Sequence, residues 1–355
     1  MTEAYINRIV TAVPPHDVHD AFLGFGRRML AGDNRRLVLF DRLAGRAQIA
    51  HRYSFLSPAQ DGEAVDAQGF YRFDHFPNTA ARMRLFEAQA PALAADAVTR
   101  LLEQEGAGGV SHLIVTSCTG LSAPGIDLEL IARCGLHPDI ERTFVGFMGC
   151  YAAINALKLA RHIVRSEPKA RVLTVNLELY TLHLQQTDHL EEMLSFLLFG
   201  DGCAAALISA EKRGVVLDSF HAALVPRTEE LIRWHIREQG FDMLLSGAVP
   251  GAIRGALAQA RGDILGGRSS SDIALWAVHP GGRTVLDAVE EAFVLAPGDL
   301  ATARGVLSDY GNMSSGTVMF VLERLMRQGA AGAPGCAMAF GPGLVAETMQ
   351  FRMAA

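Results

Sequence analysis

Charged residues are scarce: Asp, Glu, Lys and Arg make up 20% of the 355 residues. Thirty-two basic and thirty-eight acidic side chains leave a formal charge of −6, and no long Lys/Arg block occurs. A nucleic-acid partner needs a basic footprint, so the reading is of no nucleic acid. Cysteine is also sparse. The five, at 118, 134, 150, 203 and 336, are odd in number and contain no CxxC. Neither a disulfide framework nor a zinc knuckle follows, and no metal site is expected. The pair His16 and His19 in PHDVHD has no third ligand close in sequence and reads as a polar turn. Long apolar runs are missing too. None approaches the ~20 residues of a membrane span, and the first twenty residues lack the apolar centre of a signal peptide. These absences lead to the expectation of a cytoplasmic protein with reduced thiols and no membrane span.

What is present is apolar mass. Half of the residues are hydrophobic and mean hydropathy is positive, which suits a compact enzyme with much buried surface, as in an oligomer. Strands alternate with helices, the pattern of an α/β fold. The order of elements then repeats. VSHLIVTSC (110–118) reads as a buried strand, Cys150 follows Cys118 by 32 residues and opens an apolar helix, and RVLTVNLEL (171–179) reads as a second strand. In the second half SDIALWAVH (271–279) is the strand, Asn312 follows His279 by 33 residues and opens a helix, and GCAMAFGPG (335–343) is the next strand and turn. The spacing predicts two duplicated halves, residues 1–212 and 213–355, divided in the charged turn SAEKRG (209–214).

The matched positions carry Cys, His and Asn. A lone cysteine is ordinarily a small buried hydrophobe, and Cys134, Cys203 and Cys336 are assigned so. A lone histidine is ordinarily a satisfied core residue, and an asparagine ahead of a helix ordinarily caps it. Cys150 differs because a helix start favours a thiolate, and an imidazole from His279 favours it further. Ligands of open α/β sheets gather at strand ends and helix starts, where duplication brings all three residues together. A thiolate with two donors, His279 and Asn312, suits thioester chemistry: an acyl group is held on sulfur while the donors stabilise an enolate.

The stretches GFMGCYAA, LFGDGCAAAL (198–207), WAVHPGG (276–282), YGNMSSG (310–316) and AFGPG (339–343) resemble the motifs of type III polyketide synthases, the chalcone-synthase-like enzymes. The resemblance runs from about residue 40 to the C-terminus. It implies a thiolase-like fold, two α/β halves in a layered αβαβα arrangement, and a homodimer. It implies Cys150 as nucleophile with His279 and Asn312 as its partners. It places Phe199 where the coenzyme A tunnel meets the cavity, and Cys118, Met243, Trp234, Ser314 and Phe340 as pocket-lining residues. Arg42 and Arg46 fall where the family carries basic coenzyme A contacts, as bidentate phosphate donors. Gly341 and Gly343 shape the wall beside Phe340. Met243, Cys118, Ala123 and Trp234 depart from the plant pattern and resemble bacterial and fungal members that make alkylpyrones, alkylresorcinols or small aromatic polyketides. The implied substrates are acyl-coenzyme A and malonyl-coenzyme A, with no further cofactor. Flexible Met243 suits an aliphatic starter. Rival readings are an initiating β-ketoacyl carrier-protein synthase performing one condensation, a cysteine acyl hydrolase, and a non-catalytic scaffold. Asn78-Thr79 reads as a helix start, with Arg82 and Arg84 on the exposed face that follows.

Overall fold

The computed structural model describes residues 2–59, 64–106, 108–187, 189, 192–193 and 197–355. Its frame is a nine-stranded sheet built from two sets of strands. The first set runs, in spatial order, β1 (Tyr5–Ala12), β7 (Asp201–Ser209), β6 (Val172–Leu179), β4 (His112–Ser117) and β5 (Glu141–Gly146). The second runs β8 (Val215–Leu224), β13 (Val345–Met353), β12 (Pro334–Gly341) and β11 (Leu275–Val278). Reading outward from β1 and from β8, both sets are antiparallel, antiparallel, then parallel. This is one strand order used twice. The sets meet where Tyr5 pairs Val216 and Ile6 pairs Val215.

The strands are buried along nearly their whole length in β4, β6, β7 and β12, which explains why they read as apolar runs rather than alternating ones. The remaining short strands are β2 (His16–Asp17), β3 (Tyr53–Ser54), and the hairpin β9 (Ile232–Arg237) and β10 (Gly240–Leu245). Helices α1 (His19–Met29) and α2 (Asn34–Ala47) precede α3 (Thr79–Glu105), α4 (Ile126–Cys134) and α5 (Ala152–Ser166). The second half contributes α6 (Val249–Ile264), α7 (Arg283–Phe293), α8 (Ala301–Tyr310) and α9 (Thr317–Gln328).

Two of these helices are enclosed. Helix α5 packs on β4, β6 and β7 of the first set and on β8 and β13 of the second. Helix α9 packs on β11 and β12 and reaches β1 and β7. The sheet therefore wraps around a central helical layer, with α3 outside one half and α6 and α7 outside the other. Composition makes the close approach possible: Ala152, Ala153, Ala156 and Ala160 are buried along α5. Small side chains let both sheet halves come near one helix, and larger ones there would overpack the core.

Two sequence expectations change. Asn78 does cap α3, its side chain accepting the N–H of Ala81 at 2.9 Å, but Arg82 is fully buried rather than exposed. Its guanidinium donates to the carbonyls of Pro77, Leu182 and Leu184 and to the Tyr71 hydroxyl. Those carbonyls lie about a hundred residues downstream, except Pro77, so helical periodicity carries no trace of them. Neither Cys150 nor Asn312 opens an α-helix directly. A 3-10 turn, Gly149–Tyr151, precedes α5, and another, Ser314–Gly316, precedes α9. His19 is tied to Arg52, whose Nε donates to its Nδ1 at 2.9 Å.

Candidate active site

The β4 and β11 strands end at equivalent places in the two halves, and the turns before α5 and α9 face the same space. There Cys150, His279 and Asn312 line one cavity of about 480 Å³. Phe199, Met243, Phe340, Gly341 and Arg46 line it as well. The three matched positions thus converge, as the repeated spacing predicted.

Each side chain is held by its backbone. Gly149 sits at φ 68°, and a Cβ there would overlap the Pro342 ring, so only glycine fits this turn. A Cβ on Gly341 would approach the Tyr151 ring to 2.7 Å and the Cys150 amide nitrogen to 3.3 Å. Asn312 is clamped to the segment just before β7 by an isolated bridge to Phe199: its N–H donates to Leu198 O at 2.8 Å, and its carbonyl accepts from Gly200 N at 3.0 Å. Its side chain is oriented at both ends. Nδ2 donates to Gly281 O at 3.2 Å, and Oδ1 accepts the N–H of Ser314 at 2.8 Å. His279 follows the last residue of β11, its N–H donating to Met338 O at 2.8 Å.

The electrostatics are set by burial. Burial pushes the Cys150 thiol up to about 12, while hydrogen bonds from the side chains of Ser314 and Asn312 pull it back. Burial pushes the His279 imidazole down to about 3, and among the described residues neither ring nitrogen has a hydrogen-bond partner. The imidazole is therefore neutral at physiological pH, with both nitrogens available to an occupant of the cavity. The Ser314 hydroxyl, in a turn at φ 48°, is likewise buried and faces Cys150.

The other expected residues divide. Phe199, Met243 and Phe340 line the cavity, and Phe199 stacks on Tyr180 at 4.3 Å with the rings 14° apart. Ser314 reaches Cys150 itself. Cys118 is corrected: it lies behind the nucleophile rather than on the cavity wall, its Sγ accepting the N–H of Gly149 at 3.0 Å. Trp234 is corrected as well. Its indole donates to Cys118 O at 2.8 Å and lines a smaller neighbouring cavity of about 150 Å³, with Tyr180, His183 and Met243. Met243, paired with Trp234 across the β9–β10 hairpin, belongs to both cavities and forms part of the partition. Arg46 stands at the mouth, whereas Arg42 lies one turn earlier on the exposed side of α2, outside the lining.

Sequence reasoning missed two features. Arg283 joins the mouth lining at the start of α7, directly after the HPGG turn that was singled out. Glu178 is fully buried beneath the site, accepting from Cys118 N at 2.9 Å, the Thr119 hydroxyl at 3.0 Å and the Ser315 hydroxyl at 2.7 Å. Burial raises its carboxyl to about 7 against those three donors. A glutamate inside a strand that reads as fully buried was the available signal.

Two family models cover this architecture end to end: the chalcone and stilbene synthase N-terminal domain matches residues 3–212, and the C-terminal domain residues 217–354. The chain belongs to the chalcone and stilbene synthase family. It is a type III polyketide synthase, an acyltransferase of the condensing class. It is 33% identical to the bisdemethoxycurcumin synthase of Oryza sativa subsp. japonica, over 98% of this chain and 91% of that one. It is 36% identical to the alpha-pyrone synthesis polyketide synthase-like Pks18 of Mycobacterium tuberculosis, over 76% of this chain and 72% of the other. Among solved structures, the brown-algal polyketide synthase PKS-I of Ectocarpus siliculosus superposes with TM-score 0.89 at 27% identity, covering 99% of both chains. The C-terminal type III domain of Steely1 from Dictyostelium shares the fold at TM-score 0.92 and 23% identity, covering 99% of this synthase and 100% of that domain. The thiolase-like layered fold is thereby shown for this polyketide synthase.

Proposed function

We propose that this synthase transfers an acyl group from acyl-coenzyme A to Cys150 and extends it repeatedly with malonyl-coenzyme A. The product then cyclises to a pyrone, resorcinol or related small aromatic. The single observation that carries the reading is the shared cavity: a thiol, an unpartnered neutral imidazole and an oriented carboxamide face one chamber with mostly apolar walls.

The chemistry follows from those three groups. As Sγ of Cys150 attacks the thioester carbonyl, its proton passes to His279 and coenzyme A leaves as the thiol. Malonyl-coenzyme A then loses carbon dioxide, and the enolate oxygen is held by N–H donors of His279 and Asn312. The enolate carbon attacks the acyl carbonyl on Cys150, a carbon–carbon bond forms and the sulfur is released. Arg46 and Arg283 supply cationic partners for the coenzyme A phosphates at the mouth. Coenzyme A thioesters enter as substrates, and the mechanism calls for no other cofactor. An aliphatic starter is favoured by apolar walls that include Leu43, Leu198, Ile232, Leu245 and Ile253.

A homodimer is part of the proposal. Among the described residues, strand β5 ends the sheet with one edge unpaired and Phe144 exposed, and Leu128 is exposed on the neighbouring α4. Such an edge invites pairing with a second copy. Five free cysteines agree with a reducing, cytoplasmic setting. Among the described residues, no helix is long and apolar enough to cross a membrane.

The test incubates the enzyme with malonyl-coenzyme A and a series of short to long acyl-coenzyme A starters, without carrier protein, and weighs the products. Multiply extended products that vanish in Cys150→Ala support the reading. A single condensation that requires carrier protein would select the β-ketoacyl carrier-protein synthase instead, and free acid without carbon dioxide would select a hydrolase.

A further inference from the structure

Helix α2 has two faces whose chemistry does not match a purely small-molecule role. Its inner face carries buried Phe40 and Ala47, and Leu43, Arg46 and Ala47 form part of the cavity wall. Its outer face carries Arg35, Val38, Leu39, Arg42 and Arg46, all exposed. At 100° per residue these five fall within a sector of about 100°, immediately beside the cavity-lining side. Among the described residues no carboxylate pairs with Arg35, Arg42 or Arg46; the acids nearest in sequence are taken, Asp33 by Arg36 and Asp41 by Arg27.

The coenzyme A phosphates account for arginines at the mouth. They do not account for two bare aliphatic side chains among them. Val38 is 68% exposed and Leu39 is 41% exposed, on a helix that has ample polar surface to present instead. Unpaired cations framing an apolar centre is the composition of a protein-docking patch, not of a phosphate site. The sign of the charge selects an acidic partner. The position selects one that delivers its cargo into the adjoining cavity.

We propose that the outer face of α2 docks an acyl carrier protein, a small acidic helical domain whose phosphopantetheine arm carries the acyl thioester into the cavity. Coenzyme A and the carrier share the pantetheine thioester, so acyl transfer to Cys150 balances identically with either donor: the S-acyl bond moves and the pantetheine thiol leaves with the proton. The proposal rests on the acyl-transfer reading above and adds a second donor to it.

The experiment compares octanoyl-coenzyme A with an octanoyl-loaded bacterial acyl carrier protein as starter donor, each with malonyl-coenzyme A as extender. The enzymes are wild type, the double variant Val38→Asp/Leu39→Asp, and Arg35→Glu. None of these positions lines the cavity, and circular dichroism melts check that the folds are retained. The expected result is extension from both donors by wild type. The double variant loses at least about tenfold in kcat/KM with the carrier and stays within about twofold with coenzyme A. The carrier reaction slows between about 50 and about 300 mM salt in wild type, and Arg35→Glu flattens that slope. Extension from octanoyl-coenzyme A but not from the carrier overturns the proposal, as does equal loss with both donors. Transfer from neither donor overturns the acyl-transfer reading instead. Docking is then decided by nitrogen-15 chemical-shift perturbation of the apo carrier: perturbations lost in the double variant support it, and their absence with wild type overturns it.

Discussion

The sulfur of Cys118 accepts the backbone N–H of Gly149 at 3.0 Å, directly beneath the turn that presents Cys150. The two cysteines expected to share a cavity wall thus have different stations. One faces the chamber, and the other fixes the loop that aims it. The Cys118 carbonyl meanwhile accepts from Trp234, and its N–H donates to Glu178, so residue 118 is tied at three points. Burial and the neighbouring Glu178 hold its thiol well above the ordinary range, which keeps it an acceptor rather than a second nucleophile.

Replacing Cys118 by alanine leaves the buried Gly149 N–H without a partner, a loss of about 1–3 kcal/mol in stability. Loosening of the turn also lowers kcat, with KM little changed. Cys118→Ser restores an acceptor and recovers most of both. Chemical denaturation and steady-state kinetics of the pair check this; an alanine variant indistinguishable from wild type refutes the positioning role.

The sheet strands were legible because they are buried on both faces, and an apolar run needs no partner to be recognised. The cap at Asn78 was legible because it acts within three residues. The convergence of 150, 279 and 312 was legible through the repeat. What escaped depends on contacts between distant segments. Arg82 is buried by carbonyls of residues 182 and 184. Trp234 turns away from the main cavity because the carbonyl of residue 118 takes its indole N–H. Arg283 reaches the mouth because α7 begins there, which no local pattern announces.

Glu178 gives a pH signature. Its folded pKa of about 7 lies above the ordinary value of 4.5. As pH rises past about 4.5 the unfolded chain ionises first, so this group destabilises the fold progressively up to about pH 7 and by a constant amount above. Glu178→Gln faces donors with an amide and carries a pH-independent penalty, but it removes the slope. Melting temperatures between about pH 4.5 and about pH 7.5 are expected to show the variant gaining on wild type as pH rises. Parallel curves contradict a buried, partly protonated carboxyl.

Met243 separates cavities of about 480 and about 150 Å³. Met243→Ala removes most of that partition and is expected to shift product lengths upward when starters of increasing chain length compete. Met243→Phe keeps it and favours shorter ones. One methylene of pocket is worth only ~1–3 kcal/mol, so the shift appears as a changed ratio rather than a switch. Product masses from a mixed-starter reaction read it, and an unchanged distribution in the alanine variant removes Met243 from the partition.

The last prediction concerns how a thiol pushed to about 12 reacts near neutrality. Burial alone leaves almost no thiolate at pH 7, since five units separate the two values. A proton acceptor must therefore share the chamber. Among the described residues neither nitrogen of His279 has a partner, and at a pKa of about 3 it starts neutral and able to accept. Once it takes the proton, imidazolium and thiolate stabilise each other in a low-dielectric space, which lowers the effective thiol pKa far below the value for burial alone. In His279→Ala that compensation is gone and only burial acts, so the apparent pKa moves upward toward 12. Alkylation of Cys150 by iodoacetamide, followed against pH by peptide mass, is expected to proceed near pH 7 in wild type. In the variant its midpoint rises by at least about one unit, with Asn312→Ala shifting it less because the carboxamide donates to the sulfur but cannot take up its proton. Superimposable pH profiles for wild type and His279→Ala would mean that the imidazole never receives the sulfur's proton.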